Sequence, residues 1–259
     1  MGGFDRMIRN AALPAWQAKW IDPELHHDAE EKQPASYLRR RFTAKTPGSA
    51  CLYITCHGLY AAYLNGQRVG DFVLAPGAGD YSKRLTVQCY DVTELLKAGE
   101  NELTVILGDG WYRGGVGVDG LRNYCGFDIA LLCQLEMNGQ PVLLSDEYWE
   151  ASQQGPIREN DLEIGENYDA RLEAISGWHG VTVRDFGFAH LAPTESVPIL
   201  EQERFPGKLI KTPNGETVID FGQNLAGYTE LRLIAKAGQK ITLWHGETLD
   251  ENDNFTQAN

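Results

Sequence analysis

Residues 50–69 read ACLYITCHGLYAAYLNGQRV, and the prediction of the fold starts from them. On both sides of Gly58 the residues alternate with a period of two, which is typical of half-buried β-strands. Asn65-Gly66 follows directly, and this pair tolerates the positive φ angles of a two-residue type I′ turn. The segment therefore predicts strands at 50–57 and 59–64 and a hairpin that returns at Gln67.

The same period of two recurs along most of the chain, whereas no helical pattern exceeds about three turns. Further strands are predicted at 37–44, 84–90, 101–107, 129–137 and 141–145. Asn138-Gly139 marks a second hairpin. A short turn at 91–97 is the first helical prediction, with Asp91 as its N-cap. Short strands at this spacing predict an all-β chain built as a β-sandwich.

A change in composition near residue 193 divides the chain. Prolines at 193, 198 and 206 indicate an extended connection, and strands are predicted after it at 216–221, 228–235 and 239–245. This second zone is short for a sandwich of its own. We therefore expect a complete sandwich over 1–191, part of a second sandwich over 192–259, and a longer polypeptide of which this chain is a piece.

Charge and composition exclude several classes of protein. The chain has 36 acidic and 23 basic residues, a formal net charge of −13, so nucleic acid and anionic membranes are not expected partners. The basic run Arg39-Arg40-Arg41 lies within an apolar alternation and predicts an edge or half-exposed strand. No signal peptide begins the sequence, which predicts a cytoplasmic location. The five cysteines lack C-x-x-C spacing and are expected to be reduced and buried.

Two familiar patterns carry no function here. Residues 115–120 match G-x-G-x-x-G, but no helical period follows, so we predict a surface loop and not a dinucleotide site. Residues 250–254 begin like a calcium loop, yet Phe255 stands where an EF-hand requires glycine.

A polar segment at 155–173, GPIRENDLEIGENYDARLE, contains the candidate binding residues. The side chains that it is expected to bring together are Asn160, Asp161, Glu166, Tyr168, Asp169 and Arg171. Carboxylate and amide oxygens of this kind bind Ca²⁺, and beside aromatic rings they bind sugar hydroxyls. The alternative is an acidic surface loop held by an ion pair of Arg171.

Trp111 and Tyr112 leave a predicted strand into a glycine-rich loop. Such rings either stack on a sugar or cap the core of the sandwich.

Several motifs in the same order resemble the N-terminal part of bacterial α-L-rhamnosidases, which are inverting glycoside hydrolases. The matching segments are YLNGQRVG at 63–70, the turn at 91–93, GDGWYRG at 108–114, GENYDAR at 165–171, DFGQNLAG at 220–227 and HGETL at 245–249. The resemblance implies a jelly-roll, galactose-binding-like β-sandwich over 1–191, of a kind that in some members binds L-rhamnose with a calcium ion. It implies that the remainder begins a second β-sandwich, which packs against a catalytic (α/α)₆ barrel carrying the acid and base carboxylates.

The resemblance and the residues together define the expected functions. Carbohydrate binding is assigned to Asn160, Asp161, Glu166, Trp111 and Tyr112, a candidate calcium site to Asn160 and Asp161, and a structural signature to Tyr168, Asp169 and Arg171. No catalytic residue and no required cofactor is expected, so the chain alone is predicted to be inactive. Its expected partners are L-rhamnose or rhamnosides and the catalytic domain of the same polypeptide. The alternatives are a structural scaffold that positions the catalytic barrel and a free-standing lectin.

Overall fold

The computed structural model describes residues 7–25, 32–45, 48–163, 165–236 and 238–257. It divides into two compact units, residues 1–200 and residues 201–259. Within the described residues the only α-helix is α1 (Gly110–Arg113), and two 3₁₀ turns span Thr93–Leu95 and Ala170–Leu172. The prediction of an all-β chain is confirmed. None of the helices in this part of the chain has the length and apolarity that a membrane span requires.

Strands supply nearly all of the regular structure. In chain order they are β1 (Trp20–Asp22), β2 (Ser36–Ala44), β3 (Ala50–His57), β4 (Leu59–Leu64), β5 (Gln67–Arg68), β6 (Leu85–Asp91), β7 (Gly99–Gly108), β8 (Ala130–Met137), β9 (Gln140–Leu144), β10 (Glu150–Ser152), β11 (Ile157–Asp161), β12 (Gly165–Tyr168), β13 (His179–Gly180), β14 (Thr182–Arg184), β15 (Leu191–Pro193), β16 (Lys208–Lys211) and β17 (Thr217–Asp220).

The first unit is a sandwich of two sheets. One sheet has the order β14-β1-β8-β3-β6-β15, with β9 also paired to β8, and the other has the order β13-β10-β2-β7-β4-β5. All neighbours are antiparallel except β15, which runs parallel to β6. Alternate residues of both sheets enter one core, where Ile54 of β3 and Leu103 and Leu107 of β7 have no exposed surface. Burial of one face of each sheet explains the period of two in the sequence.

The predicted turns have the expected geometry. Asn65 and Gly66 have φ angles of 54° and 78°, and Asn138 and Gly139 have φ angles of 52° and 73°, as a type I′ turn requires. The predicted helical turn is the 3₁₀ turn at Thr93–Leu95, and Asp91 accepts a hydrogen bond from its first backbone N–H at 3.0 Å.

The basic run lies in β2, between β10 and β7, so it is half exposed but is not at a sheet edge. Arg39 pairs with Glu150 and Arg41 with Glu102, both at 2.8 Å. All five cysteines are free. Three are buried as expected, whereas Cys51 is half-buried and Cys125 is exposed.

In the second unit, β16 and β17 form a hairpin, which confirms the strand predicted at 216–221. The strands predicted at 228–235 and 239–245 are wrong, because the described residues there have no strand assignment. An alternating sequence becomes a strand only where a neighbouring strand takes its backbone hydrogen bonds. Side chains such as Ile234 and Trp244 are instead exposed.

Candidate carbohydrate-binding site

The candidate site lies where β7 ends and α1, the loop of residues 114–126 and the β11–β12 hairpin meet. Two glycines allow this approach. A Cβ on Gly108 would stand 2.7 Å from Oδ1 of Asn160, so a side chain there would displace the hairpin. Gly110 has a φ of 51°, and a Cβ on it would stand 2.4 Å from Cγ of Leu59. The two glycines of the Gly-Asp-Gly sequence before Trp111 are therefore required by the close packing of these elements.

Asn160 connects the β11–β12 hairpin to the end of β7 through hydrogen bonds. Its Oδ1 accepts a hydrogen bond from the backbone N–H of Asp109 at 2.6 Å. Its Nδ2 donates to the carbonyl oxygen of Gln33 at 3.3 Å. Both polar atoms of this candidate ligand are thus bound to the protein backbone.

Asp161 fastens the same hairpin to the 114–126 loop. Its Oδ2 accepts from the backbone N–H of Gly115 at 2.9 Å and from Nη1 of Arg122 at 2.8 Å. Its Oδ1 accepts from the backbone N–H of Glu163 at 2.9 Å. Only 2% of the Asp161 side chain is exposed.

A buried ion network continues from Asp161 into the unit. The Arg113 side chain is 1% exposed and donates to both oxygens of Glu24, at 2.9 and 2.8 Å. It also donates through Nε and Nη2 to Oδ1 of Asp109, at 2.9 and 2.7 Å. The other oxygen of Asp109 accepts from Nη2 of Arg122 at 3.0 Å. Burial opposes the charge of Arg113, but the Glu24 and Asp109 carboxylates outweigh it and raise the Arg113 pKa.

Sequence reasoning missed the roles of Glu24, Asp109 and Arg122 in this network. Asp109 and Arg113 are four residues apart across α1, a spacing that could have indicated their contact. Glu24 lies 89 residues from its partner, and no pattern in the sequence connects the two.

The two candidate aromatic residues have different surroundings. Trp111 is partly buried against the core, with part of its surface accessible. Tyr112 is 6% exposed, stacks on His57 at a centroid distance of 4.5 Å, and meets Tyr81 edge-on at 5.0 Å. Burial raises the pKa of Tyr112 to about 12. The structure thus places the Tyr112 ring in the core and not on the surface, where a platform for sugar stacking must lie.

His57 completes this aromatic cluster beneath the site. Its ring lies 4.7 Å from that of Trp20 and is 5% exposed, and its Nδ1 has no hydrogen-bond partner. Burial lowers the pKa of His57 to about 4, so the imidazole is neutral in the folded chain near pH 7.

Of the remaining candidates, Glu166 and Tyr168 lie on β12, and Asp169 and Arg171 lie at the 3₁₀ turn that follows it. Glu166 is opposite Asn160 in the β11–β12 register and is exposed. The Tyr168 hydroxyl donates to Glu173 at 2.9 Å. Arg171, 88% exposed, donates to Asp169 at 2.8 and 2.6 Å and lowers the pKa of that carboxyl to about 2.

The donor set can be tested against calcium. Ca²⁺ takes six to eight oxygen ligands that face the ion. The Asp161 oxygens and Asn160 Oδ1 instead face N–H donors. In the part of the chain that the structure describes, no three His, Cys, Asp or Glu side chains are grouped to hold a metal. As arranged, these residues do not fit a calcium ion.

Comparison with known proteins decides the family. Residues 45–211 match the α-L-rhamnosidase N-terminal domain, and residues 210–259 match the bacterial α-L-rhamnosidase concanavalin-like domain. The chain belongs to the α-L-rhamnosidase family.

Three comparisons show how much of a rhamnosidase it represents. An α-L-rhamnosidase of Streptomyces avermitilis is 37% identical over 243 residues, which are 87% of this chain and 23% of the relative. The crystal structure of native α-L-rhamnosidase from Aspergillus terreus matches with a TM-score of 0.75 at 36% identity, over 81% of this chain and 26% of the other. The Streptomyces avermitilis enzyme complexed with L-rhamnose matches with a TM-score of 0.64 at 35% identity, over 75% and 20%. The chain thus spans about a quarter of the length of these rhamnosidases.

We expect Arg113→Ala to lower the free energy of unfolding by about 3–5 kcal/mol, because two buried carboxylates lose their guanidinium. Arg171→Ala is the matched control, and its exposed ion pair predicts a loss below about 1 kcal/mol. Urea unfolding measures both. Equal losses for the two variants would show that the buried network does not stabilise the unit.

A second prediction concerns the stability of the folded chain in acid. Because the pKa of His57 is about 4 when folded and 6.5 is its ordinary value, the unfolded chain binds the extra proton in that interval. The free energy of unfolding is therefore highest above pH 6.5 and falls as the pH is lowered toward 4. His57 contributes a loss of about 1.4 kcal/mol per pH unit in this interval. His57→Phe should remove that loss, so the difference in unfolding free energy between variant and wild type changes across the interval. Parallel pH curves for the two proteins contradict the assignment.

Proposed function

We propose that the protein containing this chain hydrolyses terminal α-L-rhamnosyl residues of glycans or glycosides. Membership of the α-L-rhamnosidase family over both matched domains supports this. The described residues include one α-helix, of four residues, so the helical barrel that the family uses for catalysis is not among them. Hydrolysis is therefore assigned to the rest of the polypeptide and a non-catalytic role to this chain.

For the first unit, that role is binding of L-rhamnose or a rhamnoside. The observation that carries the proposal is the position of Trp111, a partly accessible side chain on a helix whose N-cap, Asp109, and last residue, Arg113, belong to the buried network. A sugar ring stacks on such a platform at little entropic cost, because the platform is already ordered. Glu166, exposed on the neighbouring hairpin, offers a carboxylate to sugar hydroxyls. The Streptomyces avermitilis relative whose structure is similar was solved with L-rhamnose.

We expect calorimetric titration of the chain with L-rhamnose to show millimolar or tighter binding. Trp111→Ala should weaken it about fivefold or more, since lost stacking costs about 1 kcal/mol. Trp178→Ala is the control, because that ring packs 3.9 Å from the Arg39 guanidinium in another part of the sandwich. The titration is run with calcium and with a chelator. Absence of binding at millimolar sugar in both conditions contradicts the sugar-binding role and leaves the scaffold.

The alternative role, a scaffold that positions the catalytic domain, is favoured by the surface of the second unit. Its exposed large apolar side chains include Leu209, Tyr228, Leu233, Ile234, Ile241 and Trp244. Apolar surface on this scale indicates an interface with another part of a protein. The matched relatives are about four times as long as this chain, so their further domains are the natural partner.

The assignment of hydrolysis to the rest of the polypeptide is tested with an aryl α-L-rhamnoside. The purified chain should release no aryl alcohol above the buffer rate, because the acid and base carboxylates are assigned elsewhere in the polypeptide. An α-L-rhamnosidase in the same assay is the positive control. Measurable turnover by the chain alone would place the catalytic residues within it and overturn the assignment.

A further inference from the structure

The position of Arg122 is the feature that neither the sugar-binding role nor the family comparison explains. Its guanidinium bridges Oδ2 of Asp109, at 3.0 Å, and Oδ2 of Asp161, at 2.8 Å. The side chains of Asp109 and Asp161 are 1% and 2% exposed, whereas the side chain of Arg122 is 22% exposed, at the solvent-facing end of the network. A cation therefore stands between two buried anions that come from distant parts of the chain.

The charges of the network require a cation at this point. Arg113 is the only other guanidinium that the structure shows in the described network, and it is shared by Glu24 and Asp109. Arg122 is the guanidinium that contacts Asp161, and it contacts Asp109 as well. Buried carboxylates are costly unless a cation and hydrogen bonds compensate them.

The same contacts order the 114–126 loop. Asp161 accepts from the backbone N–H of Gly115 near one end of the loop, and Arg122 reaches the same carboxylate from the other end. Between them, Val116 and Leu121 are joined by backbone hydrogen bonds in both directions. The conformation of the loop thus depends on what neutralises Asp161.

We propose that Arg122 takes the place of a metal ion: its guanidinium is the cation that closes the 114–126 loop onto β11, and the loop is ordered without calcium. The planar guanidinium donates to two carboxylates at once. A lysine ammonium carries all its donors on one nitrogen and cannot reproduce this geometry. The carboxylate of Asp161, one of the two candidate calcium ligands, thus has a guanidinium as its cation. The inference concerns the cation and not the sugar, and its tests contain no sugar, so it fails or holds independently of the proposed function.

The first test uses the wild-type chain. Thermal unfolding and amide hydrogen exchange over residues 109–126 are measured in a chelator and in millimolar CaCl₂. We expect the same midpoint and the same exchange rates in both, because Arg122 already neutralises the carboxylates. A midpoint several degrees higher in calcium, or slower exchange in the loop, overturns the inference.

The second test removes the guanidinium. In Arg122→Gln, exchange over residues 109–126 should be about tenfold faster than in wild type, because Asp109 and Asp161 lose the guanidinium that bridges them. Arg171→Gln is the matched control and should exchange at the wild-type rate over residues 109–126, since its ion pair is exposed. Wild-type exchange rates in Arg122→Gln contradict the assignment of a cation position.

A third variant covers the case in which Arg122→Gln does not fold. Arg122→Lys keeps the charge but reaches fewer carboxylate oxygens, so it should fold, with loop exchange between those of wild type and a neutral variant. Exchange identical to wild type in Arg122→Lys shows that bridging by a guanidinium is not required and overturns the inference.

Discussion

The buried guanidinium of Arg113 joins the two halves of the sandwich. Glu24 follows β1 of one sheet and Asp109 follows β7 of the other, and Arg113 donates to both at 2.7–2.9 Å. Removing these charges from water is costly, and only paired, bidentate hydrogen bonds compensate that cost. The position of α1, and with it the position of Trp111, follows from this pairing.

The sandwich could be predicted well from the sequence, because the patterns that indicate strands and turns lie within short segments. Alternation along β2, β3, β7 and β8 reports which side of each strand is buried, and Asn65-Gly66 and Asn138-Gly139 report where the chain reverses. The same alternation gave wrong strands at 228–235 and 239–245, since a pattern within one segment does not say whether a neighbouring strand is present.

The candidate site was only partly predictable. Composition drew attention to Asn160 and Asp161, but it could not show that N–H donors from Asp109, Gly115 and Arg122 occupy their oxygens. Residues that bind an ion or a sugar and residues that organise a loop are chemically the same. Likewise, adjacent rings at Trp111 and Tyr112 point to different sides of a four-residue helix, and which of them enters the core depends on His57 and Tyr81 from elsewhere in the chain.

The length of the outer strands affects how readily the first unit pairs with a strand of another molecule. At the ends of the two sheet orders stand β14 and β15, of three residues each, and β13 and β5, of two residues each. Such short margins present few consecutive unpaired amides and carbonyls to a neighbouring polypeptide. These four strands therefore offer poor templates for intermolecular β-pairing, whatever the charge of the surface.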